Sequence, residues 1–303
     1  MEGPRLLAWF FPPGNNGWLT ILRVGLGFQL TLYELSMRND WLRLLNNEGR
    51  RVSEAVLAAE SSAIPRVGWL IKIGSMLGAN DKQTLLIIWL ALLSAALLLI
   101  AGLFCRTVAV AAWLLQLAVV KSASVFSYGV DGFTTIGLFY LALSPLPDPW
   151  SLDWQFRKLR TRYPDLLGFF QRALQLHLCF IYFFSGLTKA LGIGWWNGDN
   201  LWRALTRPPF NAIDSVFIAK GKSFLPLAGI AIFVLELGYA VFIWPKQTRA
   251  IWLLGIIGMH IGIGVFMGMP QFAFIMIVLN LAAFGPEVIF SRRTSLTEPV
   301  ASN

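Results

Sequence analysis

Lys189 closes a long apolar run in "YFFSGLTKALGIGWWNG" (182–198), with Tyr182 to Leu187 behind it and Trp195 and Trp196 ahead. An amine in apolar surroundings can do proton chemistry, because removal from water disfavours an ammonium and leaves a neutral base. The same lysine could instead snorkel, laying its methylenes along lipid with its head at the headgroups. Both readings stand at this point. Two later apolar runs are also interrupted by ionisable groups, Glu236 in "FVLELGYAVF" and His260 in "IIGMHIGIGVFMGMP". Such groups cost free energy inside a membrane unless paired or hydrated, so each is a candidate site residue. His260 fits a hydrogen-bonded core position as well as a functional one. Asp131, in "YGVDGF", opens a further apolar run, where the helix dipole alone accounts for an acid.

The elements that must position these residues are membrane helices. The chain has 303 residues, 56% hydrophobic and 14% charged, where a soluble domain carries about a quarter charged residues. Its mean hydropathy is +0.62. The fold class expected is all-α, a polytopic integral membrane helical bundle of about eight spans of about 20 residues each. Apolar runs place them near 17–37, 83–104, 107–124, 131–146, 165–191, 223–244, 249–267 and 271–290. The fourth is short, and "VKSASVFSYGVDG" before it fits a re-entrant turn equally well. The expectation is one domain over 1–303 with its core at 17–290. Residues 38–82 read as amphipathic interfacial helices and 192–222 as a structured, tryptophan-rich outer cap. The N-terminus, broken by prolines and glycines, reads as an interfacial lead-in without a signal-peptide pattern.

A formal charge of +9 raises the question of nucleic acid. The basic residues collect in short clusters between apolar runs, as expected of loops facing an anionic leaflet, and no nucleic-acid motif accompanies them. The long 38–82 segment is also basic, but it is rich in acids and lies on the other side. "FRKLRTR" (156–162), Arg106, Lys246, Arg249 and "SRR" (291–293) fall on the side of the N-terminus, so both termini are expected in the cytoplasm. Membrane lipids are then partners and nucleic acid is not. Cys105 and Cys179 lie in or beside apolar helices outside any CxxC pattern and read as buried, inert thiols. The two halves show no internal repeat, which speaks against a secondary transporter. Gln29, Gln116, Gln175, His177 and Asn280 read as interhelical hydrogen-bonding residues. Arg23 and Glu34 share one face of the first span, but at about 16 Å of rise they are too far apart to pair directly.

Span directions give the candidate residues a common depth. Lys189 lies near the outer end of the fifth span, His260 about 10 Å below the outer end of the seventh, and Glu236 about 17 Å below the start of the sixth. Asp131 begins the fourth span at the same face. The expected site gathers all four in the outer half of one bundle.

The stretch from Tyr182 to Gly198 resembles the tyrosine-phenylalanine, glycine, lysine, tryptophan-glycine signature of vitamin K-dependent γ-carboxylases and of the wider horizontally transferred transmembrane (HTTM) domain. Other landmarks agree in order: "LRVGLGF" (22–28), "GLFCR" (102–106), "WSLD" (150–153), then Glu236, Arg249 and His260. The resemblance covers about residues 17–290 and marks a short member of bacterial type, in the inner (plasma) membrane. It implies that Lys189 is the base that deprotonates a reduced quinone, vitamin K hydroquinone or menaquinol. Oxygen and carbon dioxide would be co-substrates, and a glutamate side chain would be carboxylated. His260 would hydrogen-bond the reacting oxygen or substrate acid, and Glu236 would orient the cluster. Asp131, Tyr182, Trp195 and Trp196 are the implied cofactor-binding residues. The chain ends soon after its last span, so no large lumenal docking domain is expected. Some relatives act in peptide-toxin maturation, which leaves a second reading: a non-enzymatic membrane factor for maturation or export of a secreted precursor peptide. A transporter is the third.

Overall fold

The computed structural model describes residues 3–289 apart from 13, 15, 46, 62, 125, 126, 162, 164, 165 and 211. The expected basic stretch at 291–293 and Arg162 lie outside the described residues. Among those described, regular structure is entirely helical. Eight principal helices run α1 (Gly17–Met37), α2 (Asp81–Ala101), α3 (Cys105–Ser122), α4 (Gly129–Leu143), α5 (Leu166–Ala190), α6 (Leu225–Phe242), α7 (Lys246–Phe266) and α8 (Pro270–Ile289). Among the described residues, six stretches are long and apolar enough to cross a membrane: α2, α3, α5, α7, α8 up to Val288, and the segment Lys222–Phe242 that contains α6. The chain is thus a polytopic helical membrane protein. The α1 helix has 21 residues but carries Arg23, Gln29 and Glu34, while α4 has only 15 residues.

The chain divides into two compact units, Leu19–Pro164 and Met1–Trp18 with Asp165–Asn303. In the first unit the start of α1, the end of α2 and the start of α3 are tied to the loop after α4. Arg23 donates from Nε to Asp148 Oδ2 (2.6 Å) and from Nη1 to the carbonyls of Leu99 and Ile100, and both ion-pair side chains are fully buried. Thr20 donates to the other Asp148 oxygen at 2.6 Å. Gly102 ends α2 with φ +74°, and a Cβ there would come within 2.6 Å of Ser151, so glycine meets both the left-handed backbone and the close approach. Its carbonyl accepts from the Asp153 N–H, and the Asp153 carboxylate accepts from the first N–H of α3, at Cys105, at 2.7 Å. The "LRVGLGF", "GLFCR" and "WSLD" stretches therefore meet in one buried polar knot. Burial pushes the Asp153 carboxyl up. The Cys105 and Phe104 N–H groups and the Arg157 guanidinium outweigh it and hold the group below the usual carboxylate range.

At the opposite end of this unit, the 38–82 connection folds back on α2 and α3. Trp41, Leu45 and Val67 pack with Leu85, Ile88, Leu92 and Val119. Glu54 accepts from the Gly68 N–H and the Ser122 hydroxyl, both at 2.8 Å. Val52, Val56, Ile73 and Met76 remain exposed on the same short helices, an amphipathic division between core and surface. The α2 helix begins with a capping box, in which the Asn80 side chain accepts from the Gln83 N–H and the Gln83 side chain accepts from the Asn80 N–H.

In the second unit α5 packs along α6 and α7 along α8. The α5–α6 contact is close at Gly186, where a Cβ would lie 2.8 Å from the Leu237 nitrogen. The 192–222 connection forms short helices, Ile193–Trp196, Asp199–Thr206 and Ser215–Lys220, and the first two lie against α6. Away from Lys189, Arg249 at the start of α7 pairs with Glu287 of α8 (2.5 Å), and Gln175 of α5 donates to the same carboxylate.

Candidate functional site

Lys189 occupies the last turn of α5. Its Nζ donates to Glu236 Oε2 at 2.7 Å, to Glu236 Oε1 at 3.0 Å and to Ser185 Oγ at 2.6 Å. The ammonium lies 5.4 Å from the Trp195 ring centroid, within cation–π range. Ser185 precedes Lys189 by one helical turn, so both face α6. Gly186 between them lets the two helices approach closely enough for the pair to form. The lysine side chain is 19% exposed and the glutamate 7%. A simple snorkelling lysine would reach for water; this one turns inward to a carboxylate.

Deeper along the same α5–α6 seam, the Tyr182 and Tyr239 rings pack at 4.4 Å between centroids, tilted by 49°. Tyr182 Oη and His260 Nε2 are 2.8 Å apart, and Asn280 of α8 donates to Tyr182 Oη at 2.7 Å. Tyr239 in turn donates to Asn280 Oδ1 at 2.7 Å. Four helices thus contribute one polar chain: Tyr239, Asn280, Tyr182 and His260. His260 is 3% exposed, and its Nδ1 has no hydrogen-bond partner among the described residues. On α5, Tyr182 and Lys189 are seven residues apart, about 10.5 Å of rise. On α6, Glu236 and Tyr239 are separated by about 4.5 Å. The ion pair and the tyrosine pair are two rungs of one seam.

The structure therefore brings together Lys189 and Glu236 directly, with Tyr182 and His260 on the neighbouring rung. Trp195 lies over the lysine, while Trp196 donates to the Ala190 carbonyl (2.8 Å) and packs on Phe233. Arg249 is about 16 Å along α7 from His260 and serves the other end of the bundle. Asp131 belongs to the first unit, where it accepts from the Tyr33 hydroxyl at 2.5 Å and the Tyr128 N–H at 2.9 Å. Of the residues expected to bond between helices, Asn280 and Gln175 do so, whereas the amides of Gln29 and Gln116 are buried without a hydrogen-bond partner among the described residues.

Sequence reasoning missed Ser185, Tyr239 and Asp148. The one signal for Ser185 and Tyr239 is helical spacing, one turn before Lys189 and three residues after Glu236, and it carries weight only once the α5–α6 pairing is known. No family model, curated protein or solved structure matches the chain.

Proposed function

We propose that this is a membrane-embedded, vitamin K-dependent γ-carboxylase-like protein of the HTTM type. Its reaction is the quinol-dependent carboxylation, or a related modification, of a glutamate-containing peptide or small molecule. The observation that supports this reading is the Lys189–Glu236 pair, with Ser185 in hydrogen-bond contact and His260 on the next rung. Glu236 can take the proton from Lys189 Nζ, leaving a neutral amine beside a neutral acid and no formal charge to desolvate. The amine lone pair then accepts from the Glu236 acid, and a ligand O–H group takes that place when it is brought against Nζ. Ser185 holds Nζ in position from its own helix.

The residues present fit a reduced quinone. His260 Nδ1, which has no hydrogen-bond partner among the described residues, suits a quinol or quinone oxygen, and Trp195 offers an aromatic face beside Lys189. When bound, the quinol supplies the electrons that oxygen takes up and, through that oxidation, the strong base that a glutamate γ-proton requires. Trp195, His260 and Lys189 would hold it, with Tyr182 supporting His260 from behind and Trp196 fixing the exit from α5. Asp131 accepts from Tyr33 and Tyr128 in its own unit and would join the quinone site as the implied fourth cofactor-binding residue. The proposal includes eight crossings, with α1 and α4 completing the six long apolar spans. Both termini lie in the cytoplasm and the site opens to the outer face of a bacterial inner membrane.

A second reading, a non-enzymatic membrane factor in maturation or export of a secreted precursor peptide, is favoured by one feature: Lys189 is already engaged, and the pair could serve only as a tie between α5 and α6. Lys189→Arg separates the two. Arginine can keep Glu236 as a partner but cannot give up its proton. Membranes supplied with reduced quinone, oxygen and carbon dioxide should form quinone epoxide and modified peptide with the native chain. The Lys189→Arg chain should accumulate normally and form neither. An active arginine variant would remove the base from the mechanism and leave the tie.

A further inference from the structure

The polar chain behind His260 has a direction, and that direction fixes which ring nitrogen carries the proton. Asn280 is the point where it is set. Its Nδ2 lies 2.8 Å from the Met276 carbonyl, which can only accept, so the amide nitrogen must face that way. The amide oxygen then faces Tyr239, whose hydroxyl donates to it. The second N–H of Asn280 is left to donate to Tyr182 Oη. Tyr182 therefore receives a hydrogen bond from Asn280 and keeps its own proton for His260 Nε2, 2.8 Å away. An imidazole that accepts at Nε2 carries its proton at Nδ1.

The opposite tautomer is poorer by count. With the proton on Nε2, the Tyr182 oxygen would accept twice and its own hydrogen would have no acceptor, while Nδ1 would be an unused lone pair. Two buried groups would then be unsatisfied in place of one, and buried donors without partners are the costly kind.

We infer that Asn280, acting through Tyr182, is a positioning residue that locks His260 as its Nδ1–H tautomer, so that the site presents a buried N–H donor to a ligand oxygen. The ligand's matching group is a hydrogen-bond acceptor, such as a carbonyl, a carboxylate or a phenolic oxygen. Tyr239 only completes the shell of Asn280. The ligand part rests on the quinol-dependent reading above, whereas the tautomer does not, and the test below reads the tautomer alone.

The chain has two histidines, His177 and His260, so selective labelling with 15N-histidine gives two ring systems, and a His177→Gln variant assigns them. Nitrogen NMR of the full-length protein in lipid nanodiscs distinguishes protonated from unprotonated Nδ1 and Nε2 directly. The native chain should show His260 with a protonated Nδ1 and an unprotonated Nε2. Asn280→Asp should reverse this pattern, because a carboxylate accepts the Tyr182 proton and forces His260 to donate from Nε2. Tyr239→Phe should leave the native pattern in place, since Met276 still orients the amide. If Asn280→Asp does not accumulate, Tyr182→Phe takes its place and should give a mixture of tautomers. A protonated Nε2 in the native chain overturns the inference. So does an unshifted Nδ1–H pattern in Asn280→Asp or, where it stands in, Tyr182→Phe. Loss of carboxylation with the expected NMR pattern would count against the proposed function and leave the tautomer lock standing.

Discussion

Lys189 and Glu236 differ in how far each is withdrawn from water, and that difference sets what removing either would do. Glu236 lies in mid-helix at 7% exposure, whereas Lys189, at 19%, keeps Ser185 and the Trp195 face if the carboxylate is lost. Breaking a buried pair from one side costs about 3–5 kcal/mol, because it strands the other charge. Lys189→Met should therefore destabilise more than Glu236→Gln. The double variant Lys189→Met/Glu236→Leu should recover most of the loss, since neither charge then remains buried. Thermal unfolding in detergent across this double-mutant cycle reads the coupling directly. Additive losses would mean that the pair is not formed. Lys189, Glu236 and His260 were legible in the sequence because their types are costly in apolar runs. Ser185 and Tyr239 were not, because a serine or tyrosine in a membrane helix is unremarked until its neighbour is known. Asp148 was hidden differently: it sits in a proline-rich loop, and its partner Arg23 is 125 residues away in sequence.

Helices are read from sequence by apolar length, and all eight principal helices fall within a few residues of the expected runs. What apolar length cannot supply is how a helix end is held. The short helix Leu152–Gln155 is an example: Ser151 caps it, and Asp153 reaches across to the first N–H of α3. Its role depends on Gly102 and Cys105, some fifty residues earlier. This tie is pH-dependent. A carboxyl held below its unfolded value binds fewer protons folded than unfolded. It therefore adds stability above the unfolded value and loses it as pH falls through the folded one. The unfolding temperature of the native chain should drop as pH is lowered below about 4, the ordinary aspartate value. Asp153→Asn should already be less stable at neutral pH and should show a shallower acid decline. An identical acid profile in the two proteins would take Asp153 out of the linkage.

At the scale of the whole chain, the short connections at one end of each unit are mainly basic, while the long connections 38–82 and 192–222 at the other end mix basic and acidic residues. In Leu19–Pro164, the end that holds Asp148 and Asp153 also carries Arg106, Arg157, Lys158 and Arg160. In the other unit, Arg172, Lys246 and Arg249 gather at the end remote from Lys189. Between Lys158 and Asp199, α5 is the one long helix among the described residues, and its 25 residues span about 37 Å, more than the hydrocarbon thickness of about 30 Å. In the orientation proposed above, one crossing separates these two exposed positions, with Lys158 in the cytoplasm and Asp199 outside. Both native cysteines are buried, so single introduced cysteines can be read against a low background. A membrane-impermeant thiol reagent should label Asp199→Cys in intact cells and Lys158→Cys only after permeabilisation. The reverse pattern would invert the protein and turn the Lys189 site toward the cytoplasm. Labelling of both positions from one side would mean that α5 does not cross, and the Lys189–Glu236 pair would then have to be placed against a different surface of the membrane.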